Sequence, residues 1–343
     1  MQYTNSTLRI TGFAAWLLFT GLAVAQAPRI GTIDFYGLRK VPEAKILQTL
    51  GVREGDFLPP SKGDAEEHLD DVPGIVESHL EAVCCDTGKM ILYVGVEEKG
   101  SPHFDIREAP EGDVKLPEEI TSSYRRFLES FESAVRSGRT GEDLTHGHSL
   151  SADPATRADQ EMFPALAKDH LAELRDAIRN AADDDQRAVA AYIIGYAPNK
   201  KEVVGDLQYA LKDADAGVRN NAVRGLMAMA VLARLDPAAQ LKIEPTWFIE
   251  MLNSLSWSDR NRALQALQIL TDKRDPATLE QLRDRALPAL VEMARWKTLA
   301  HALPAFVLLG RIAEMPDAQV QTAWTKGDRE SVILAATNKK KSR

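Results

Sequence analysis

The residues best suited to chemistry in this sequence lie in one short segment, Glu142-Asp143-Leu144-Thr145-His146-Gly147-His148-Ser149. Two imidazoles separated by one glycine, with carboxylates just upstream, have the donor types of a divalent-metal site, which needs three or four ligands in fixed geometry. The spacing offers His146 and His148 as candidate metal ligands and supplies no third. The bland reading, an ordered loop whose imidazoles hydrogen-bond backbone carbonyls, is therefore preferred, and a metal-dependent enzyme using His146 and His148 is kept as the alternative. His170 and His301 fall in helical periods and read as packing residues; His68, His79 and His103 have no partner motif. The two cysteines are adjacent, Cys84-Cys85, which is no disulfide framework. Side chains alternate across a strand, and a bond between neighbours closes a strained ring, so one buried and one exposed thiol are expected. There is no Gly-rich phosphate loop, no G-x-S-x-G elbow and no H-E-x-x-H helix. The expectation is a protein without a catalytic centre and without a cofactor.

Composition narrows the class. The chain has 343 residues, 44% of them hydrophobic, enough for two domains with real cores. Its formal net charge of −8 repels phosphate backbones, which argues against nucleic acid as a partner. The one basic cluster, Lys339-Lys340-Lys341-Ser342-Arg343, is a tail. At the other end, Arg9 precedes an apolar run, Ile10 to Ala25, that closes on Ala23-Val24-Ala25. A positive start, a short apolar region and an A-x-A site describe a secretory signal peptide over residues 1–25; the run is short for a membrane span. The expected compartment lies beyond a membrane. It is periplasmic in a Gram-negative source, and otherwise the chain is secreted or anchored by an uncleaved signal. No membrane span is expected in the mature chain.

Residues 26–99 read as a small mixed domain. Ile30 to Tyr36 alternates as a strand. Pro42 stands near the first turn of a helix that Gly51 ends. Ser61 to Asp71 is a second helix. Strands near 75–83 and 90–96 flank the hairpin signal Asp86-Thr87-Gly88-Lys89. The order is β-α-α-β-β. With Ile33-Asp34-Phe35-Tyr36-Gly37-Leu38-Arg39-Lys40-Val41-Pro42-Glu43, the loop Glu54-Gly55-Asp56-Phe57-Leu58 and the closing Val94-Gly95-Val96-Glu97, this segment resembles a POTRA (polypeptide-transport-associated) domain. The resemblance implies strand-edge binding of an extended polypeptide, or docking to a partner domain. Gly100-Ser101-Pro102 breaks the pattern, so residues 26–99 are expected to fold alone, with 100–116 as a linker.

From residue 117 the period becomes helical. Tyr124, Phe127, Leu128, Phe131 and Val135 form one stripe, and a polar loop, 137–152, follows within the helical region 117–170. Over 171–335 paired helices repeat. Arg187-x-x-Ala190, Arg219-x-x-Ala222 and Arg260-x-x-Ala263 open the second helices, with Lys297-x-x-Ala300 a weaker copy. Their spacing is roughly 30–40 residues, near the HEAT and armadillo period. Ala210 to Leu226 in particular resembles a HEAT repeat. In that family an aspartate in the turn and an arginine opening the second helix form a ladder between repeats. The resemblance implies ladder roles for Asp213, Arg187, Arg219 and Arg260, with Asp213 facing Arg219; Arg224, five residues on and roughly 140° round the helix, is expected to point outward. Ala181 and Ser254 stand where other aspartates would be, and Asp183, Asp184 or Asp259 are the substitutes.

The fold class read from the sequence is therefore mainly α: a small α+β domain, then an α-helical HEAT-type solenoid, then a basic tail at 336–343. Such solenoids serve many roles. The functional expectation is an exported protein-interaction scaffold whose solenoid binds a protein partner and whose POTRA-like domain docks a polypeptide or an envelope component. Trp247, Trp257, Trp296 and Trp324 all lie in the helical half, as core or as binding residues.

Overall fold

The computed structural model describes residues 29–86 and 88–338. The expected signal segment 1–25 and the tail residues Lys339–Arg343 lie outside the described residues. The small domain runs β1 (Ile30–Tyr36), α1 (Glu43–Leu50), α2 (Lys62–Asp70), β2 (Ile75–Asp86), β3 (Lys89–Glu98). Its three-stranded sheet has the order β1-β3-β2, β3 lying parallel to β1 and antiparallel to β2. A register shift between Ile30 and Thr32 lets Ile30 join Ile33 in the core that Leu80, Leu92, Val94 and Val96 make with Ile46, Leu50 and Leu69 of α1 and α2. Ser61 caps α2 by accepting from the Asp64 N–H. Pro42 is the N-cap of α1 rather than a first-turn residue, and Gly51 ends the helix in the left-handed conformation. Near the end of β2 the expectation for the cysteines fails: Cys84 is exposed and disulfide-bonded. Pairing of β2 with β3 is irregular between Val83 and Asp86.

The opposite face of the sheet is apolar too, because it is not a surface. Tyr36, Ile91 and Tyr93 belong to the core of the helical half. Gly95 makes room for this: a Cβ there would stand 2.3 Å from the Tyr36 ring.

The helical half comprises α3 (Glu118–Arg136), a two-residue ladder of β4 (Glu142–Asp143) with β5 (Leu150–Ser151), then α4 (Pro154–Gln160) and α5 (Phe163–Asp169). Antiparallel pairs follow: α6 (Leu171–Asn180) with α7 (Asp184–Ile194), α8 (Lys200–Ala210) with α9 (Ala216–Leu235), α10 (Thr246–Met251) with α11 (Trp257–Leu270), and α12 (Pro276–Ala294) with α13 (Leu299–Ile312). The shorter α14 (Asp317–Thr325) and α15 (Arg329–Asn338) close the chain. Successive second helices touch, α7 on α9, α9 on α11, α11 on α13, α13 on α15. Ala190, Ala222 and Ala263 are fully buried, where a larger side chain would hold the helices apart. On α3, Phe127 is buried but Leu128 and Val135 are exposed, since α3 packs against α4 and α7 only along one narrow face. The segment 100–116 is a strap laid across the pairs rather than a free linker. Its Arg107 N–H donates to Lys212 O at 2.8 Å, its Gly112 O accepts from Ala182 N at 2.7 Å, and Phe104 and Leu116 are buried.

Three arginines run through the turns between paired helices. Arg187 donates from Nη1 to Ala181 O and Ala182 O, both at 2.9 Å, and from Nε to the Asp213 carboxylate at 3.0 Å. Arg219 repeats this one pair later, with Asp213 O at 2.8 Å, Ala214 O at 2.9 Å and the Asp259 carboxylate at 3.0 Å. This corrects the expected pairing. The carboxylate of Asp213 serves Arg187, and Arg219 reaches forward to Asp259. One edge of each planar fork is taken by carbonyls of its own turn, so the other edge faces the next turn. Arg224 is corrected as well: it is half-buried and paired with Glu142, because the β4–β5 loop folds over α9.

Both acid–base pairs are nearly inaccessible, with side-chain exposures of 1% and 4% for Arg187 and Asp213, and 4% and 3% for Arg219 and Asp259. Removing one partner from such a pair strands the other charge. Arg219→Ala should destabilise the protein by about 3–5 kcal/mol. Arg234→Ala on the same helix, half exposed and 3.7 Å from Asp272, should lose about 0–1 kcal/mol. Urea denaturation of the two variants makes the comparison, and equal losses would contradict a buried ladder.

Candidate functional site

The histidine loop is the first place to look. His146 is exposed with Nε2 3.5 Å from Asp143, and its ring lies 6.2 Å from that of His148. Among the described residues no group of three His, Cys, Asp or Glu comes together in a way that could hold a metal ion. His148 instead faces a buried amine: Lys200 Nζ lies 3.3 Å from its Nδ1 and donates to Gly195 O at 2.8 Å. Gly147 presses on this amine, as a Cβ there would meet Lys200 Cε at 3.2 Å and Leu232 at 2.7 Å. Tyr192, Tyr196 and Gln160 form a hydrogen-bonded set behind it, and Tyr196 donates to Ser149 O at 2.7 Å. Burial pulls Lys200 down to about 7. Burial, then the nearby Lys200 and His146 charges, pull His148 down to about 4. The loop is thus a cover fastened over the first helix pairs.

A second concentration of polar contacts joins the sheet to the helices. Glu81 of β2 accepts from Ser256 Oγ at 2.7 Å and from Ser258 N and Oγ at 3.2 and 2.6 Å, at the start of α11. Burial works against its charge, but hydrogen bonds from His79, Ser258 and Ser256 outweigh that and hold its carboxyl at about 2. Asp34 of β1 accepts from Lys297 N at 3.0 Å at the start of α13, and there burial wins and raises its pKa. Carboxylates suit both places because a helix N-terminus presents unpaired N–H groups and partial positive charge. Between them Tyr93 stacks on Trp257 with centroids 4.8 Å apart, lies 4.9 Å from Trp296, and meets His301 Nδ1 at 2.6 Å. Arg260, third of the turn arginines, ends the series here. Its Nε donates to Ser254 O, its guanidinium lies 4.4 Å from the Tyr36 ring centroid, and Glu292 stands 4.0 Å away. His301, Trp257 and Trp296 are therefore packing residues at a junction, not surface residues.

The open site is a groove of about 550 Å³ between α8 and α10, walled on one side by the strap. Tyr209 lies under two guanidiniums, Arg107 at 3.5 Å and Arg179 at 4.3 Å from its centroid. Arg107 also donates to Tyr209 O at 2.7 Å. Lys212 Nζ sits 4.8 Å over Trp247, which is 36% exposed. Arg179 is neutralised by Asp206 at 2.8 Å, whereas neither Arg107 nor Lys212 forms an ion pair among the described residues. Gly205 leaves the floor open, nothing lying within 4 Å of where its Cβ would be. The result is a concave strip with aromatic faces, two cations that form no ion pair among the described residues, and the carboxylate of Glu244 at its side. Trp247 was read from the sequence as core or binding residue; Arg107 was missed, since it lies in a stretch without period. No protein-family model and no curated protein matches the chain.

Two expected outcomes follow from the covered regions. The sheet face carrying Tyr36, Ile91 and Tyr93 is buried only because the helices are there, so a fragment of residues 29–99 should expose it. Differential scanning calorimetry of that fragment should show no cooperative transition, and a sharp one would mean the sheet needs no helical support. Lys200 gives a pH dependence. Its folded value near 7 lies below the ordinary 10.5, so between these limits the unfolded chain binds more protons and stability rises with pH. The slope approaches ~1.4 kcal/mol per pH unit and vanishes above the upper limit. Stability profiles from pH 7 to 10 should be distinctly flatter for Lys200→Met than for the parent protein; identical slopes would refute the buried, neutral amine.

Proposed function

We propose that the chain is an exported protein-interaction scaffold that holds an extended segment of a partner protein in the groove between α8 and α10. The observation that carries this reading is the pairing of aromatic faces with cations that form no ion pair among the described residues, Trp247 with Lys212 and Tyr209 with Arg107, along an open concave strip. Aromatic and arginine side chains are the residue types that dominate binding energy at interfaces. Several features support a HEAT-type reading of the helical half: stacked helix pairs, buried alanines at the crossings, and turn arginines reaching to the next turn. The β-α-α-β-β order with its β1-β3-β2 sheet supports the POTRA-like reading. In that reading the outer edge of β2 is where an extended polypeptide or envelope component would pair, although Glu66 already accepts from the Leu80 N–H at 2.7 Å. Export rests on Arg9, the apolar run and Ala23-Val24-Ala25. No described helix is long and apolar enough to cross a membrane.

Photo-crosslinking from position 247 in cells of the native source, with position 128 on the exposed side of α3 as reference, tests the groove. A discrete crosslinked partner from 247 and none from 128 is expected. Trp247→Ala together with Tyr209→Ala should weaken the purified complex by about 100-fold, the loss of two anchors at ~1–2 kcal/mol each. An unchanged affinity would place the interface elsewhere.

A further inference from the structure

A second cavity, of about 510 Å³, opens in the small domain and shares no lining residue with the groove. Its walls carry three lysines, Lys40 after β1, Lys45 on α1 and Lys99 just after β3. None of them forms an ion pair among the described residues. Val41, Pro42, Val72 and Pro73 supply the apolar lining. One carboxylate is present, and it is already used: Glu98 is 3% exposed and accepts from the N–H groups of Arg39 at 2.7 Å, Lys40 at 2.9 Å and Val41 at 2.9 Å. Burial disfavours its charge, but these backbone donors prevail and lower its pKa. Glu98 therefore fixes the loop that carries Lys40 without closing an ion pair on any of the three amines. In a chain of net charge −8, three ammonium groups against the one carboxylate of Glu98, whose charge acts on Lys40, leave this apolar concavity with a local field of the opposite sign, and clefts concentrate such fields.

We propose that this cavity binds a small soluble anion that carries a phosphate or carboxylate on a short apolar body. The ammonium groups meet the anionic head as point charges, and the valine and proline surfaces cover the apolar part. The site is independent of the groove and of the scaffold reading.

The test is isothermal titration of the full chain with three probes: hexyl phosphate, hexanoate and inorganic phosphate. Saturable one-to-one binding of hexyl phosphate or hexanoate is expected, tighter than that of inorganic phosphate and weakened by added salt. Lys45→Met or Lys99→Met should each weaken binding about five-fold, roughly the worth of one exposed charge contact. The triple variant with Lys40→Met should abolish it while its melting temperature stays unchanged, because all three side chains are exposed. Phosphatidylglycerol vesicles make the last arm. Binding to vesicles without saturable binding of either amphiphilic probe would overturn the proposal, as would probe binding that survives loss of all three lysines.

Discussion

A guanidinium taken out of water must find acceptors for its N–H groups and a negative charge for its own. That requirement organises this molecule. Arg187, Arg219 and Arg260 are each buried in a turn between paired helices. Each bonds one or two carbonyls of its own turn, which would otherwise lack partners. For the first two, the remaining edge of the fork is answered by a carboxylate of the following pair. The helices are thereby held at fixed offset by directional bonds, whereas leucine and alanine packing alone would tolerate sliding. Asp213 and Asp259 differ in local position, one in the turn and one in the first turn of α11, yet both present an oxygen to the preceding arginine. Ser254 steadies Asp259 by donating to it at 2.7 Å, so a serine where the aspartate would stand keeps part of that residue's role.

The series needs an end, and the small domain supplies it. No aspartate follows Arg260 in the way Asp259 follows Arg219. Tyr36 places its ring on that guanidinium, and Glu292 approaches it from α12. The same face of the sheet brings Glu81 and Asp34 to the starts of α11 and α13. Arg39 ties to Glu292 at 2.9 Å and Lys297 to Glu54 at 2.7 Å. The sheet thus does for the last turns what a further helix pair would do, with aromatic faces and carboxylates in place of aliphatic stripes. One sheet face belongs to each core, so the boundary seen at Gly100-Ser101-Pro102 separates patterns in the chain while the burial runs across it.

How much of this was legible follows from the range of the interactions. The β-α-α-β-β order could be read because its signals are local: alternation in Ile30–Tyr36, the Ser61 cap, the turn at Asp86–Lys89. The helix pairs could be read from the spacing of Arg187, Arg219 and Arg260 with their alanines. The direction of the ladder could not, since an arginine has acceptors before and after it at similar reach. Nor could the junction. Tyr93, Trp257 and Trp296 are apolar residues in periodic elements whether they meet their own domain or another, and Glu81 caps a helix that begins more than a hundred residues later. The bulge after Ile30 and the irregular pairing near Cys84 each shift a side-chain face, and neither leaves a mark in hydrophobic period.

The groove owes its form to the strap. Residues 100–116 must carry the chain from the sheet, which docks near α11 and α13, back to α3 at the other end of the helical array. The shortest course crosses the ends of α8 and α6, and the bonds from Arg107 to Tyr209 and Lys212 and from Ala182 to Gly112 record that crossing. A strap so placed raises one wall beside α8 and delivers to Tyr209 a guanidinium that the helix pairs themselves do not supply. The opposite wall comes from Trp247, at the start of the short helix α10, where the chain re-enters the array after a long excursion past Leu235. One wall therefore comes from the connection to the sheet, the other from the irregular return into α10. A regular array would present the same surface at every pair, and the groove beside Tyr209 and Trp247 forms where this one departs from that regularity.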